Sequence, residues 1–336
     1  QQHICQWENL EKNFSLLLKK VDQGYSCIYP FSILATPSSP AQQKRCAIIY
    51  TKFNAPISQR LFSHKRKSCT KVRLGYVSSD FREHAVSSLI AGLIEQHDRH
   101  KFEVIGFSLF ETTNDSMRAR LESAFDKFFD VHNLTEKEIA ELIFHNKIDI
   151  AIDLNGFTRL HRTKIFSYRP APIQVNFLGY PGTMGAEYMD YIVADSVLIP
   201  PEHKNFYTEK IAYLPKTYQA NDFKRPISKK EFNRNDLGLP SQGFVFCSFN
   251  NSYKITPEIF AIWMRLLLKV EGSVLWLLED NAQAISNLLN EAKKKGVTGD
   301  RVIFASRIKT AEHIARHKCA DLFLDTIYYN GHTTTS

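Results

Sequence analysis

Four short segments hold residue types suited to chemistry on a charged substrate. The first is Ser78-Ser79-Asp80-Phe81-Arg82-Glu83-His84, where a carboxylate and an imidazole stand four positions apart. Such groups act as acid, base or orienting pair, although the same residues also read as an Asx turn followed by a surface histidine. The second runs from Arg169-Pro-Ala-Pro-Ile-Gln174 into Leu178-Gly179-Tyr180-Pro181-Gly182-Thr183. Gly179 and Gly182 let backbone come close to a ligand and offer N–H groups to hydroxyls or phosphates, or they simply make a type II turn. The third, Phe249-Asn250-Asn251-Ser252-Tyr253-Lys254, stands just before Thr256-Pro257. A lysine beside a helix N-terminus suits a diphosphate; a solvated lysine is the plain alternative. The fourth, Asn330-Gly331-His332-Thr333-Thr334, places hydroxyls and main-chain donors in a glycine-containing turn.

These groups need elements that hold them at strand ends. Val72–Val77 reads as an apolar strand, Val86–Gln96 as an amphipathic helix and Glu103–Leu109 as a second strand. Thr135-x-x-Glu138 matches a capping box that opens a further helix. Ile148–Leu154 follows as a short, nearly all-apolar strand of the kind buried on both faces of a parallel sheet, and Ile173–Leu178 and Tyr191–Ala194 are two more strand candidates. Residues 200–240 are polar and read as a linker. A second unit then alternates strand (Phe244–Phe249, Ser273–Leu278, Val302–Phe304, Ala320–Asp325) with helix (Pro257–Val270, Ala282–Lys295, Ala311–Lys318). This pattern predicts α/β architecture with two Rossmann-like halves and right-handed crossovers. Ligands are then expected at the carboxyl ends of the strands, in a cleft faced by both halves. The organisation expected is a helical segment at 1–70, a first Rossmann-like domain at 71–225 and an incomplete second one at 226–336.

The chain has 336 residues, 43% of them hydrophobic, and a net charge of +8. That composition excludes a disordered or disulfide-stapled chain, and no apolar run is long enough to span a bilayer. The charge suits a phosphate-bearing small molecule as well as nucleic acid. The basic run from Lys52 to Lys71 carries no closely interleaved aromatics and reads as a solvated linker. Six cysteines without a CxxC pair argue against a zinc ribbon and for reduced thiols in the cytoplasm. GxGxxG, GxxxxGK[ST] and GxSxG motifs are all missing from the chain. Dinucleotide oxidoreductase, P-loop and α/β-hydrolase chemistry therefore lose support. Nor is there an Asp-x-Asp for a divalent metal.

From about residue 71 onward the chain resembles the catalytic region of the O-GlcNAc transferase / SPINDLY family. The resemblance rests on 75–81 with His84, 169–174, 178–183 with Asp190-Tyr191, 249–255, 273–278, and 324–326 with 330–334. It implies a glycosyltransferase-B fold and an inverting, metal-independent transfer from a nucleotide sugar to Ser/Thr hydroxyls of proteins, with UDP-GlcNAc as donor. It also implies no cofactor, no membrane and no nucleic-acid partner. UDP-glucose, GDP-fucose and an inactive nucleotide-sugar-binding module are the alternatives. Tetratricopeptide repeats upstream and further sequence downstream are expected outside this chain. The resemblance assigns proton handling to Asp80 and His84 and neutralisation of the leaving diphosphate to Lys254. It assigns donor contacts to Leu178, Gly179, Asn251, His313, His332, Thr333 and Thr334, and a sugar pocket to Tyr180 and Tyr329. Asn251 replaces a glutamine of the animal enzymes, and Tyr329 stands where they have a cysteine beside the acetamido group.

Overall fold

The computed structural model describes residues 1–57, 62 and 70–336; the core of the basic run, His64 to Lys67, lies outside the described residues. Two units are present, one of residues 17–34 and 38–224, the other of 1–16, 35–37 and 225–336. The first seventy residues, expected to form one segment, are thus divided. Cys5 and Trp7 join the core of the second unit, whereas Val21, Ile33 and Cys46 form a cluster in the first. The helices here are α1 (Leu10–Asp22), α2 (Pro30–Ile33) and α3 (Pro40–Asn54).

The larger unit continues with β1 (Val72–Ser78), α4 (Ala85–Gln96), β2 (Phe102–Ser108), α5 (Ser116–Ala124), β3 (Lys127–Asp130) and α6 (Glu136–His145). It is completed by β4 (Ile150–Asp153), α7 (Lys164–Ser167), β5 (Ile173–Asn176), β6 (Tyr191–Ala194) and β7 (Lys210–Tyr213). All strand pairs are parallel, in the order β3-β2-β1-β4-β5-β6-β7. Leu89, Ile90 and Ile94 of α4 pack on Leu74, Tyr76, Ile152 and Val175 of the sheet. Burying one such aliphatic side chain is worth about 1.5–3 kcal/mol. The capping box at Thr135 forms as its spacing predicts: Glu138 N–H donates to Thr135 Oγ1 at 3.3 Å, and Thr135 N–H donates to Glu138 Oε2 at 2.8 Å.

The smaller unit contains β8 (Val245–Ser248), α8 (Pro257–Lys269), β9 (Val274–Leu278), α9 (Ala282–Lys294), β10 (Val302–Ala305), α10 (Thr310–Arg316) and β11 (Leu322–Phe323). Its parallel order is β10-β9-β8-β11. Both sheets therefore reverse direction beside their first strand, between β1 and β4 and between β8 and β11, where α/β folds bind ligands. Four elements escape the sequence pattern, among them the single-turn helix α7. β3 and β7 are edge strands with half-exposed, mixed polarity, and β7 lies inside the stretch read as linker. Helix α5 has one charged residue, Arg118, on its buried side, which blurs the apolar periodicity.

Candidate active site

In the larger unit, Asp80 stands two positions beyond β1 and Asn155 two beyond β4, so the strand-order reversal brings them together. Asn155 Nδ2 donates to Asp80 Oδ2 at 2.9 Å and to Ser79 Oγ at 2.8 Å, while Ser79 N–H donates to Asn155 Oδ1 at 2.8 Å. Asp80 is 4% exposed. Burial raises its pKa, opposed by His84, Arg82 and hydrogen bonds from Ser79 and Asn155. His84 is the N-cap of α4: its Nδ1 accepts the Val86 N–H at 3.3 Å and lies 3.6 Å from Asp80 Oδ2. Occupied in this way, Nδ1 leaves the neutral ring's proton on Nε2. Burial lowers the His84 pKa, with Asp80 opposing. Both shifts run toward uncharged forms, a pairing suited to proton transfer. Asp80 is a buried carboxylate that accepts from Asn155 rather than part of a solvated Asx turn, while His84 is partly exposed and caps α4.

The loop after β5 is built by steric exclusion. A Cβ on Gly179 would lie 2.0 Å from the Leu154 carbonyl oxygen, so only glycine fits. Leu178 has a φ of +73°, a left-handed conformation that is uncommon for a non-glycine residue and costs energy. Asn176 donates to the carbonyls of Tyr180 and Gly182 at 3.1 and 3.3 Å. Tyr180, expected in a sugar pocket, is 1% exposed. Its ring packs edge-on to Phe157 and its hydroxyl donates to the Pro30 carbonyl at 3.4 Å, so it supports the loop from beneath. Arg169 has a holding role too: Nη1 donates to Asp190 Oδ2 at 2.9 Å, and the same oxygen accepts Gln174 N–H at 2.8 Å.

The smaller unit repeats the device. Asn250 stands two positions beyond β8 and Asp325 two beyond β11, and Asn250 Nδ2 donates to Asp325 Oδ1 at 2.9 Å. Asp325 Oδ1 also accepts the N–H groups of Thr326 and Gly331 at 2.8 and 2.7 Å, and Asn250 Oδ1 accepts the Thr334 hydroxyl at 3.2 Å. The 330–334 turn, with His332 and Thr333, is thereby fixed beside β8. Lys254 Nζ donates to the Asn330 carbonyl at 2.8 Å and lies 4.2 Å from the centre of the Tyr329 ring. Burial pulls its pKa down to about 8, with Asp325 opposing. His332 falls to about 4 through burial and the nearby Lys254. Helix α8 begins close by, its N-cap Thr256 accepting Ile259 N–H at 3.4 Å.

Two other expected donor contacts lie near this turn's sheet end. Asn251 precedes the short 3-10 helix Ser252–Lys254. His313 on α10 packs edge-on to Phe249 and accepts on Nδ1 from Arg316 Nε at 3.1 Å; burial, then His317 and the neighbouring arginines, lower it to about 3. Asn155 and Asp325 are the site residues the sequence reading did not single out. Their signal was positional: each follows a short strand beside the strand-order reversal by two residues, β4 in the larger unit and β11 in the smaller.

The profile of glycosyl transferase family 41 matches residues 7–231 and 229–336. A probable UDP-N-acetylglucosamine–peptide N-acetylglucosaminyltransferase SEC of Arabidopsis thaliana is 37% identical, with 99% of this chain and 36% of the relative aligned. A UDP-N-acetylglucosamine–peptide N-acetylglucosaminyltransferase of Caenorhabditis elegans is 27% identical over 99% of the chain and 40% of its own length. A solved O-GlcNAc transferase mutant from Thermobaculum terrenum superposes with a TM-score of 0.79 at 29% identity, covering 90% of this chain and 58% of that one. The chain thus spans well under half the length of these two curated relatives.

Proposed function

The chain belongs to glycosyl transferase family 41, and from that premise we propose that it transfers GlcNAc from UDP-GlcNAc to Ser/Thr hydroxyls of proteins, with inversion and without a metal. The observation that carries this reading is Lys254, held against the Asn330 carbonyl beside the Gly331–Thr334 turn. When the sugar–phosphate bond breaks, negative charge grows on the departing diphosphate. A fixed ammonium, turn N–H groups and the N-terminus of α8 stabilise that charge more in the transition state than in the ground state. His332 and Thr333 complete the phosphate-facing turn, and His313, kept neutral, contacts the base. In the larger unit the attacking hydroxyl loses its proton. We assign its acceptance to Asp80, whose proton affinity burial raises, and the orienting role to His84 Nε2–H.

A second reading follows from Tyr329. Its ring centre lies 4.2 Å from Lys254 Nζ, and we read that bulk beside the lysine as favouring a sugar without the acetamido group, as in UDP-glucose. Calorimetric titration with UDP, UDP-GlcNAc, UDP-glucose and GDP-fucose in EDTA, followed by turnover with a peptide acceptor, tests both. UDP-GlcNAc binding and turnover in EDTA are expected. Turnover that requires added divalent metal, or no turnover with any donor, sinks the proposal. Among the described residues no helix is long and apolar enough to cross a membrane, and the described cysteines are free thiols, all but Cys27 buried. We place the protein in the cytoplasm on the thiols.

A further inference from the structure

Asp153 closes β4 and is 2% exposed, yet the mechanism above does not use it. Its Oδ1 accepts the N–H groups of Asn155 and Gly156 at 2.9 and 3.1 Å. Its Oδ2 is buried with no hydrogen-bond partner among the described residues. The residue paired with it in register on β5 is Asn176, and register partners on parallel strands leave the sheet on the same face. Asn176 spends both amide hydrogens on the Tyr180 and Gly182 carbonyls, which settles its orientation and leaves Oδ1 buried and unpartnered as well. Gln174, one pleat earlier on that face, repeats the arrangement: Nε2 donates to the Phe166 and Tyr188 carbonyls at 2.9 and 2.7 Å, and Oε1 is left over.

Among the described residues this face therefore presents three buried acceptor oxygens and no hydrogen for them. Leaving a buried acceptor unmatched costs about 1–3 kcal/mol, and native folds rarely tolerate a row of them. One proton resolves the mismatch between the register partners Asp153 and Asn176. We propose that Asp153 is held as the uncharged acid and donates its carboxyl proton to Asn176 Oδ1. As a positioning residue it would tie the loop carrying Asn155 to the loop carrying Leu178 and Gly179.

The titratable groups acting on Asp153 from the surrounding elements are Asp80, beyond β1, and Tyr188, beyond β5. Neither brings positive charge, and the Tyr188 hydroxyl is committed to the Ala55 carbonyl at 3.0 Å. Burial, seconded by Asp80, pushes the Asp153 pKa up to about 6 against the two N–H bonds. A hydrogen bond made only by the neutral form moves it higher still.

The test compares Asp153→Asn, which keeps an acceptor and supplies an N–H in place of the O–H, with Asp153→Ala and the parent chain. An acid with a raised native pKa gives stability that is complete below its unfolded pKa and lost as pH rises through the native one. The Tm advantage of Asp153→Asn over the parent should be absent near about pH 4 and still be growing at about pH 7. A difference that is flat over that range, or that stops growing below about pH 6, overturns the proposal. The parent should also show a protonated-carboxyl infrared band at pH 7 that Asp153→Asn lacks, and finding none overturns it equally. These two readouts need no turnover, so they remain decisive if the transferase reading fails. Where turnover is measurable, Asp153→Asn should exceed Asp153→Ala at least tenfold in kcat/KM, and equal losses in the two variants count against a positioning role.

Discussion

Lys254 shows how one side chain carries both a function and its pH limit. Its ammonium is poised by burial to lose its proton near pH 8, so the charge that would meet a diphosphate is present at neutral pH and fades above it. UDP affinity is expected to fall as pH rises through about 8 in titration calorimetry, and Lys254→Ala should abolish that dependence. The same variant should lose about 2.7–4 kcal/mol of transition-state stabilisation, as for other charge-stabilising donors, read as a fall in kcat. Undiminished turnover would remove the lysine from the mechanism. Asn155 makes a sharper case, because its one amide group satisfies Asp80, Ser79 Oγ and Ser79 N–H together. Asn155→Ala should depress kcat while leaving UDP affinity, which depends on Lys254 and its turn, within about twofold. Lys254 was legible in the sequence because a lysine just before Thr-Pro announces a helix start. Asn155 was not, since its partner lies 75 residues away and only the sheet order reveals the pairing.

At the scale of elements, the strands that were easiest to read are those buried on both faces. The run Ile150–Asp153 and the run Val274–Leu278 are nearly unbroken apolar stretches, as central parallel strands require. The edge strands β3 and β7 face water along one side and carry polar residues, so periodicity does not betray them. Tyr180 was misjudged for a related reason: a tyrosine in a glycine-rich loop looks available to a ligand, and burial between loop and helix cannot be seen in one dimension. The segment bearing Lys254 has a support that was equally hidden. Ser252 Oγ lies within hydrogen-bond reach of both the His3 carbonyl at 2.7 Å and Asp280 Oδ2 at 2.6 Å, which share its one proton. Ser252 N–H donates to Asp280 Oδ2 at 3.1 Å, and the His3 ring packs 5.1 Å from that of Tyr253. Ser252→Ala is expected to weaken UDP binding several-fold with little change in Tm, because it loosens this segment and leaves the core intact. Calorimetry alongside a thermal melt separates those two effects.

For the whole molecule, the charge cluster at the end of the larger unit sets stability in acid. Arg120 reaches Asp222 at 2.5 and 3.2 Å and Glu95 at 2.7 Å, and Lys224 reaches Glu95 at 2.8 Å. Residues 222–224 are thus fastened to α4 and α5. Hydrogen bonds from Arg120 and then Lys224 hold Glu95 down to about 2 from its ordinary 4.5. A depressed acid gives stability that is present above the unfolded pKa and lost as pH falls through the native one. Melting temperature should therefore drop between about pH 4.5 and 2. Arg120→Ala should cost about 3–5 kcal/mol at pH 7 by stranding the Asp222 carboxylate, and should flatten that acid slope in chemical denaturation. The two Asn–Asp joints carry a different consequence. Both pairs are separated by 75 residues, and the two units write them in opposite order, carboxylate first in one and amide first in the other. The clasp itself is indifferent to which strand supplies which group; only the chemistry is not. Exchanging the pair, Asp80→Asn together with Asn155→Asp, should therefore keep a melting temperature close to the parent's, in a protein that does not turn over. One protein would then hold an intact hinge pin and a silenced proton acceptor, which makes architecture and reactivity at the same two positions separately measurable.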